Sequence, residues 1–183
     1  MSKTIGIITG SLRKNSFSGS IADYVKSNAP AGYTFKLIDI GSLPLYNQDY
    51  DEKEIKEYTD FRNEVKALDA ILFITPEHNR SIPAALKNAL DIGSRPYGHN
   101  IWSGKPGAII SQSPGAIGGF GANQHLRQVL AFLNILTLAQ PEAYMGAYHT
   151  LIDEKGVLSN EGTKEFLNKF LAAFAAWIEK TAS

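Results

Sequence analysis

The amino-acid sequence predicts a doubly wound α/β domain: a five-stranded parallel sheet with helices on both faces. Three observations point there. Short, nearly continuous apolar runs alternate with segments of helical period along the whole chain. The runs are apolar residue after residue, as in central strands buried on both faces, instead of every second residue. Strands and helices each number five, and strict alternation argues for right-handed crossovers.

The first strand is residues 5–9, and a helix over about 16–28 follows with Ile21, Ala22 and Val25 on one side. Residues 35–40 make the second strand. The segment over about 53–67, mixed in charge, turns Ile55, Tyr58, Phe61, Val65 and Leu68 inward as the second helix. The third strand, 70–74, stops at Thr75-Pro76. Pro83, suited to a first helical position, opens a third helix that runs to about residue 92. The fourth strand is 107–111, and the fourth helix, 122–133, carries a stripe of Leu126, Val129, Leu130 and Leu133. A weaker fifth strand, 135–139, leads to an amphipathic helix over 164–180. Its Phe166, Phe170, Phe174 and Trp177 repeat at helical spacing and are expected in the core. Residues 41–51 come nearest to a linker, yet Leu43, Leu45 and Tyr46 are expected to pack. With no repeat or low-complexity stretch, residues 1–183 read as a single domain, and the flavodoxin-like order 2-1-3-4-5 suits the count of elements.

Composition removes several function classes. At 183 residues and 44% hydrophobic the chain can bury one core. Its 18 basic and 18 acidic residues balance, so no general attraction to nucleic acid or to an acidic membrane dominates. A bound anion must be held by a local site. There is no cysteine, which removes disulfides, thiolate nucleophiles and thiol-ligated metals and suits a reducing cytosol. The first residues turn to Gly, Ser and Arg too early for a signal-peptide core, and no later stretch is long enough to span a bilayer. A soluble cytoplasmic protein is expected. His99, His125 and His149 are scattered without metal-ligand spacing, so no metal is expected.

In a doubly wound sheet, ligands sit outside the carboxyl ends of the strands, where strand order reverses. Three loops of this chain meet there. After the first strand, residues 10–18 combine Ser11, Arg13, Ser16 and Ser18 with the start of a helix, whose free N–H groups favour an anion. These are the parts of a phosphate-monoester site; Ser16 as a plain helix cap is the competing reading. Neither a Walker A sequence nor the Gly-x-Gly-x-x-Gly fingerprint is present. After the third strand, Pro76, Glu77, His78, Asn79, Arg80, Ser81, Ile82 and Pro83 form a stiff polar shelf able to read a planar heterocycle by backbone groups, with Ser81 as the expected helix cap. After the fourth strand, Ser113 leads into Gly115, Ala116, Ile117, Gly118 and Gly119, whose N–H groups are suited to the pyrimidine edge of a flavin. Arg95, Arg127 and Lys14 each read either as partners of a nucleotide phosphate or as surface charges. The three loops together suit FMN.

At these residues the chain resembles the NADPH-dependent FMN reductase family, the flavodoxin-like group of quinone, azo-dye and chromate reductases. The likeness is carried by Gly10-Ser11-Leu12-Arg13 with Ser16, by Pro76-Glu77 with Asn79, Ser81 and Pro83, and by the run 86–91 with Ser94-Arg95-Pro96. It continues in Ser113-Pro114-Gly115 with Gly118-Gly119, and in Pro141-Glu142-Ala143-Tyr144. The resemblance implies an NAD(P)H-dependent oxidoreductase in which FMN meets Ser11, Arg13, Ser16, Phe17 and Ser18 at its phosphate. It implies Pro76, Glu77, His78 and Asn79 at the ring and residues 113–119 at the pyrimidine side. NADPH or NADH as co-substrate, a small-molecule electron acceptor and a homodimer or homotetramer are also implied, while a non-enzymatic flavodoxin-like electron carrier is the alternative. The sequence departs from the family pattern at His78, where tyrosine is usual, and at Ile92, where an aromatic residue is frequent.

Overall fold

The computed structural model describes residues 2–181; positions 1, 182 and 183 of the expected domain lie outside the described residues. Its elements run β1 (Lys3–Thr9), α1 (Phe17–Ser27), β2 (Tyr33–Leu37), α2 (Lys56–Lys66), β3 (Ala70–Pro76), α3 (Ala84–Gly93), β4 (Pro106–Gln112), α4 (Phe120–Phe132), β5 (Leu136–Thr137), β6 (Ala143–Met145) and α5 (Glu161–Thr181). All strand pairings are parallel, in the order β2-β1-β3-β4-β5. The edge differs from expectation. Instead of one strand at 135–139, two short pieces share β4, with β5 on Pro106 and Gly107 and β6 on Ile110, Ser111 and Gln112. Pro141 cannot donate to a ladder, so the edge is interrupted and resumes at Ala143.

Alternate strand residues feed two cores. Ile8, Ile71, Phe73 and Ile109 face α2, α3 and α4, with Trp102 wholly buried among them. Ile5, Ile7, Leu72, Ala108 and Ile110 face α1 and α5, where Phe170 and Phe174 are buried and Phe166 and Trp177 pack at the margin. At about 25 cal/mol per Å2 of apolar surface, residues of this size each contribute roughly 1.5–3 kcal/mol to the driving force. That is why each continuous run forms a strand.

Three further expectations shift. Strand β2 is 33–37, not 35–40: Ile38 and Ile40 are buried as expected, but past the end of the pairing with β1, where they cover the core beside Leu68. Helix α2 begins at Lys56, after Ile55 in extended conformation, and not at 53. Leu45 is 78% exposed, and what packs there is its carbonyl, which accepts from the Tyr58 hydroxyl at 2.7 Å. Asn88, buried in α3, holds the same segment by donating to Pro44 O and accepting from Tyr46 N–H. A buried cation escaped sequence reading altogether. Arg62 is 4% exposed, pairs with Glu54 at 3.0 Å and donates to the carbonyls of Ile92, Gly93 and His99, so it closes the carboxyl end of α3. Burial holds its pKa below that of a free guanidinium. Among the described residues no helix is long and apolar enough to cross a membrane.

Candidate active site

The carboxyl ends of β1, β3 and β4 bring the first two expected loops, with Gln112 and Pro114 at the start of the third, into one cleft of about 360 Å3, within the range of small-ligand sites. Ser11, Arg13, Ser16 and Phe17 form one wall, Pro76, Glu77 and His78 another, and Gln112 with Pro114 the floor and far rim. Gly10 permits this closeness. A Cβ there would lie 2.9 Å from the Thr75 hydroxyl and within 3.3 Å of Pro76 and Pro83.

The first loop keeps its donors open. Ser16 is the N-cap of α1: its Oγ accepts from Gly19 N–H at 3.0 Å, which leaves the hydroxyl hydrogen to donate. Cap and anion donor are thus compatible roles of one hydroxyl. The first turn of α1 holds no acidic residue, and among the described residues Arg13 makes no ion pair. Phe17 leans on the buried Tyr148, ring centroids 5.2 Å apart, which fixes where the helix begins. Ser18 corrects an expectation. The residue is fully buried, its Oγ accepts from Gln112 Nε2 at 3.1 Å, and its hydroxyl does not line the cleft.

The second loop is a tight turn. His78 and Ser81 exchange both backbone hydrogen bonds, at 2.9 and 3.0 Å, across Asn79 and Arg80 with φ of 51 and 64. Such a doubly left-handed turn is rigid and narrow. Asn79 stands at its exposed tip, outside the cleft wall. Glu77 Oε2 accepts from Ala122 N–H at 3.2 Å and its Oε1 from Arg80 Nη1 at 3.1 Å, so the carboxylate caps α4 from another loop. Ser81 is not the cap of α3. Pro83 takes that place, while Ser81 Oγ lies 2.7 Å from His125 Nδ1.

The third loop is braced from behind. Gly118 and Gly119, with φ of 60 and 76, are buried beneath it and not on a ligand-facing surface. A Cβ at Gly118 would fall 2.6 Å from Tyr144 C and 2.8 Å from Gly146 N. Gly115 O accepts from Ser113 Oγ–H, Ala147 N–H and Gly118 N–H, at 3.0, 3.0 and 3.4 Å. Ser113 is spent in the same bracing, through its N–H on Met145 O and its carbonyl under Tyr148 N–H. The exposed crest is Gly115, Ala116 and Ile117, beside the cleft at Pro114. Tyr144 lies behind it against Phe120, ring centroids 5.4 Å apart, and burial followed by its bond to Glu142 raises its pKa above that of a free phenol.

The profile of the NADPH-dependent FMN reductase family matches residues 4–150. The chain belongs to that family. It is 48% identical over 177 residues, 96% of this chain and 95% of the other, to a protein of Pseudomonas putida named quinone reductase. It is 44% identical over 178 residues, 97% of each chain, to a 2-hydroxy-1,4-benzoquinone reductase of a Burkholderia species. Among solved structures, FerB of Paracoccus denitrificans, described as a flavoenzyme NAD(P)H:(acceptor) oxidoreductase, superposes with a TM-score of 0.90 at 38% identity over 98% of both chains. A flavodoxin of Pseudomonas aeruginosa shares the fold at a TM-score of 0.57 and 20% identity. As a member of the FMN reductase family the chain is an oxidoreductase that uses FMN and NAD(P)H.

The cleft suits that cofactor. A phosphate dianion is matched by a hydroxyl hydrogen, an exposed guanidinium and the N–H groups of an acid-free helix start. The other candidates are placed elsewhere. Arg95 is held by the Tyr46 hydroxyl at 2.9 Å and by Asp51, and Arg127 by Asn123, Leu138 O and Glu142. Lys14 is exposed. Ile92 is buried in the core on the inner face of α3, so the family departure there is a packing matter, whereas His78 is exposed and lines the cleft. Gln112 was missed; a polar residue closing a buried strand at the ligand edge was its signal. Among the described residues no group of three or more His, Asp or Glu is placed to hold a metal ion.

Proposed function

We propose that this enzyme is an NAD(P)H-dependent quinone reductase in which donor and acceptor visit one open face of bound FMN in turn. The observation that carries the reading is the pairing, in one cleft, of an open anion site at 11–17 with a stiff shelf at 76–78. The names of the relatives, a quinone reductase and a hydroxybenzoquinone reductase, supply the acceptor class. FMN supplies the redox chemistry when bound, taking a hydride from NAD(P)H and passing two electrons to the acceptor.

In this reading Ser16 Oγ–H, the N–H groups of Phe17 and Ser18, and Arg13 hold the phosphate, with Ser11 alongside. The backbone of Pro76, Glu77 and His78 supports the ring. The crest N–H groups of Gly115, Ala116 and Ile117 face the edge where negative charge gathers, acting as an oxyanion hole does. His78 shapes the open face, its imidazole standing where tyrosine is usual. One NAD(P)H, one proton and one quinone give NAD(P)+ and hydroquinone, so bulk water can supply the proton. The chain acts as one domain in the cytosol, where NAD(P)H is at hand, and assembles as a homodimer or homotetramer. Tyr97 and Phe132, 91% and 90% exposed on the protomer, support the last point.

The test is a visible spectrum after loading with FMN and desalting, repeated without air after NADPH or NADH, then after benzoquinone. Retained flavin that bleaches and recolours, with parallel double-reciprocal lines in steady state, is expected. Retained flavin that neither nicotinamide bleaches would overturn the reading in favour of an electron carrier. Recolouring by an azo dye, chromate, a ferric complex or free flavin but not by a quinone would overturn the acceptor class. Sedimentation as a monomer would overturn the assembly.

A further inference from the structure

Beyond the ridge formed by residues 11–13, on its β2 side, lies a second groove of about 580 Å3. It shares Ser11, Leu12, Arg13 and Ser16 with the cleft described above, so a phosphate held at Arg13 and Ser16 borders both spaces. With FMN held as proposed, its ring supported by residues 76–78, this groove would be left unused.

The groove has the chemistry of a nucleotide site. Arg13, Lys14 and Lys26 line it against Asp23 and Asp39, a surplus of one positive charge. Among the described residues none of the three cations is in an ion pair. Asp39 lies just past β2, and its Oδ1 accepts from Gly41 N–H at 2.8 Å while Oδ2 is left to accept a ribose hydroxyl. In the related Rossmann folds an acid past the second strand meets the ribose of adenosine, and Asp39 stands at the matching place although the glycine fingerprint of those folds is absent. Leu12 and Leu37, 57% and 50% exposed, give a flat base an apolar wall.

We propose that this groove is a subsite for an adenosine phosphate joined to the FMN phosphate position, so that the enzyme accepts FAD with its adenylyl half lying over β2. The inference rests on the placement of the FMN phosphate at 11–18. Free AMP bound beside FMN is the other source of the same chemistry.

Calorimetric titration separates the outcomes, with FMN and FAD added to flavin-free protein and AMP added to FMN-loaded protein. The variants are Lys26→Glu with Leu37→Ala, Lys26→Glu alone, and Lys155→Glu, in the groove on the other flank of α1. FAD is expected to bind within about tenfold of FMN, and the double variant to weaken FAD by about tenfold while leaving FMN unchanged. If the double variant instead weakens AMP on FMN-loaded protein and spares FAD, the subsite stands with a free nucleotide as its occupant. Normal FMN binding with FAD and AMP both excluded overturns the inference alone, as does a loss of FAD caused by Lys155→Glu only. Failure of the wild-type protein to bind FMN overturns the phosphate placement and the subsite with it.

Discussion

At the 11–17 end of the cleft the polar groups stand open, whereas at the 113–119 end they are already engaged with one another. Arg13 is exposed and the Ser16 hydroxyl hydrogen is left over, on a loop tied down mainly by Phe17 against Tyr148. Behind the crest of the third loop, by contrast, one carbonyl gathers three donors, Gly118 presses into β6 and Gly119 into the end of β4. A phosphate is recognised by charge, which needs donors without partners. A ring is recognised by position, which needs a backbone that cannot move. The two ends should therefore fail differently when altered, the first in affinity alone and the second in stability as well.

The largest effect is expected from Gly118→Ala. The left-handed φ costs a non-glycine residue about 1–2 kcal/mol, and the new Cβ meets the backbone of Tyr144 and Gly146, neither of which is a flexible side chain. A loss of about 3 kcal/mol, or about 10 °C in Tm, is expected together with weaker FMN binding. A melting curve and a titration on the same variant check both. An unchanged Tm with weaker binding would place Gly118 at the ligand instead of under the loop.

Arg13→Ala comes next, with FMN binding weakened by about tenfold and Tm unchanged. Ser16 allows a finer cut, because glycine is tolerated at an N-cap at a cost of only a few tenths of a kcal/mol whereas alanine costs about 1 kcal/mol. Ser16→Gly should thus keep its Tm and lose affinity, and Ser16→Ala should lose both. Equal affinity in wild type and Ser16→Gly would reduce Ser16 to a cap. Third in size, Glu77→Ala orphans the Ala122 N–H in the first turn of α4. It should cost about 1 kcal/mol, with Tm lower by about 3 °C and a few-fold weaker FMN binding. A fall in affinity with no change in Tm would mean that the carboxylate acts on the ligand directly.

The same contrast decides what could be read in the sequence. Runs buried on both faces announced the strands, and Ser16 announced its helix, because apolar burial and capping depend on neighbours a few residues away. The first loop was legible for that reason. Glu77 reaches 45 residues along the chain to Ala122, and Ser18 is silenced by Gln112, 94 residues away. No local pattern encodes such partners. Ser81 shows the limit plainly: its composition says cap, but the turn formed with His78 aims it at His125. The glycines at 118 and 119 were visible as glycines, yet only the close backbone of β6, itself hidden behind Pro141, explains Gly118, and only the end of β4 at Ser111 and Gln112 explains Gly119.

The smallest effect has the opposite sign. Arg80 occupies the second central position of the 78–81 turn at φ 64, where glycine is the favoured residue after asparagine. Arg80→Gly relieves about 1 kcal/mol of backbone strain, less the entropy glycine gains in the unfolded chain. It also gives up the pair with Glu77, but the Arg80 side chain is 78% exposed, and pairs of that kind contribute little. A net gain of about 0.5 kcal/mol, or 1–2 °C in Tm, is expected, with FMN affinity unchanged. A lower Tm would show that Arg80 steadies the Glu77 carboxylate on α4. The turn at 78–81 would then owe part of its rigidity to charge, and the contrast with the open end at 11–17 would narrow to the loop at 113–119.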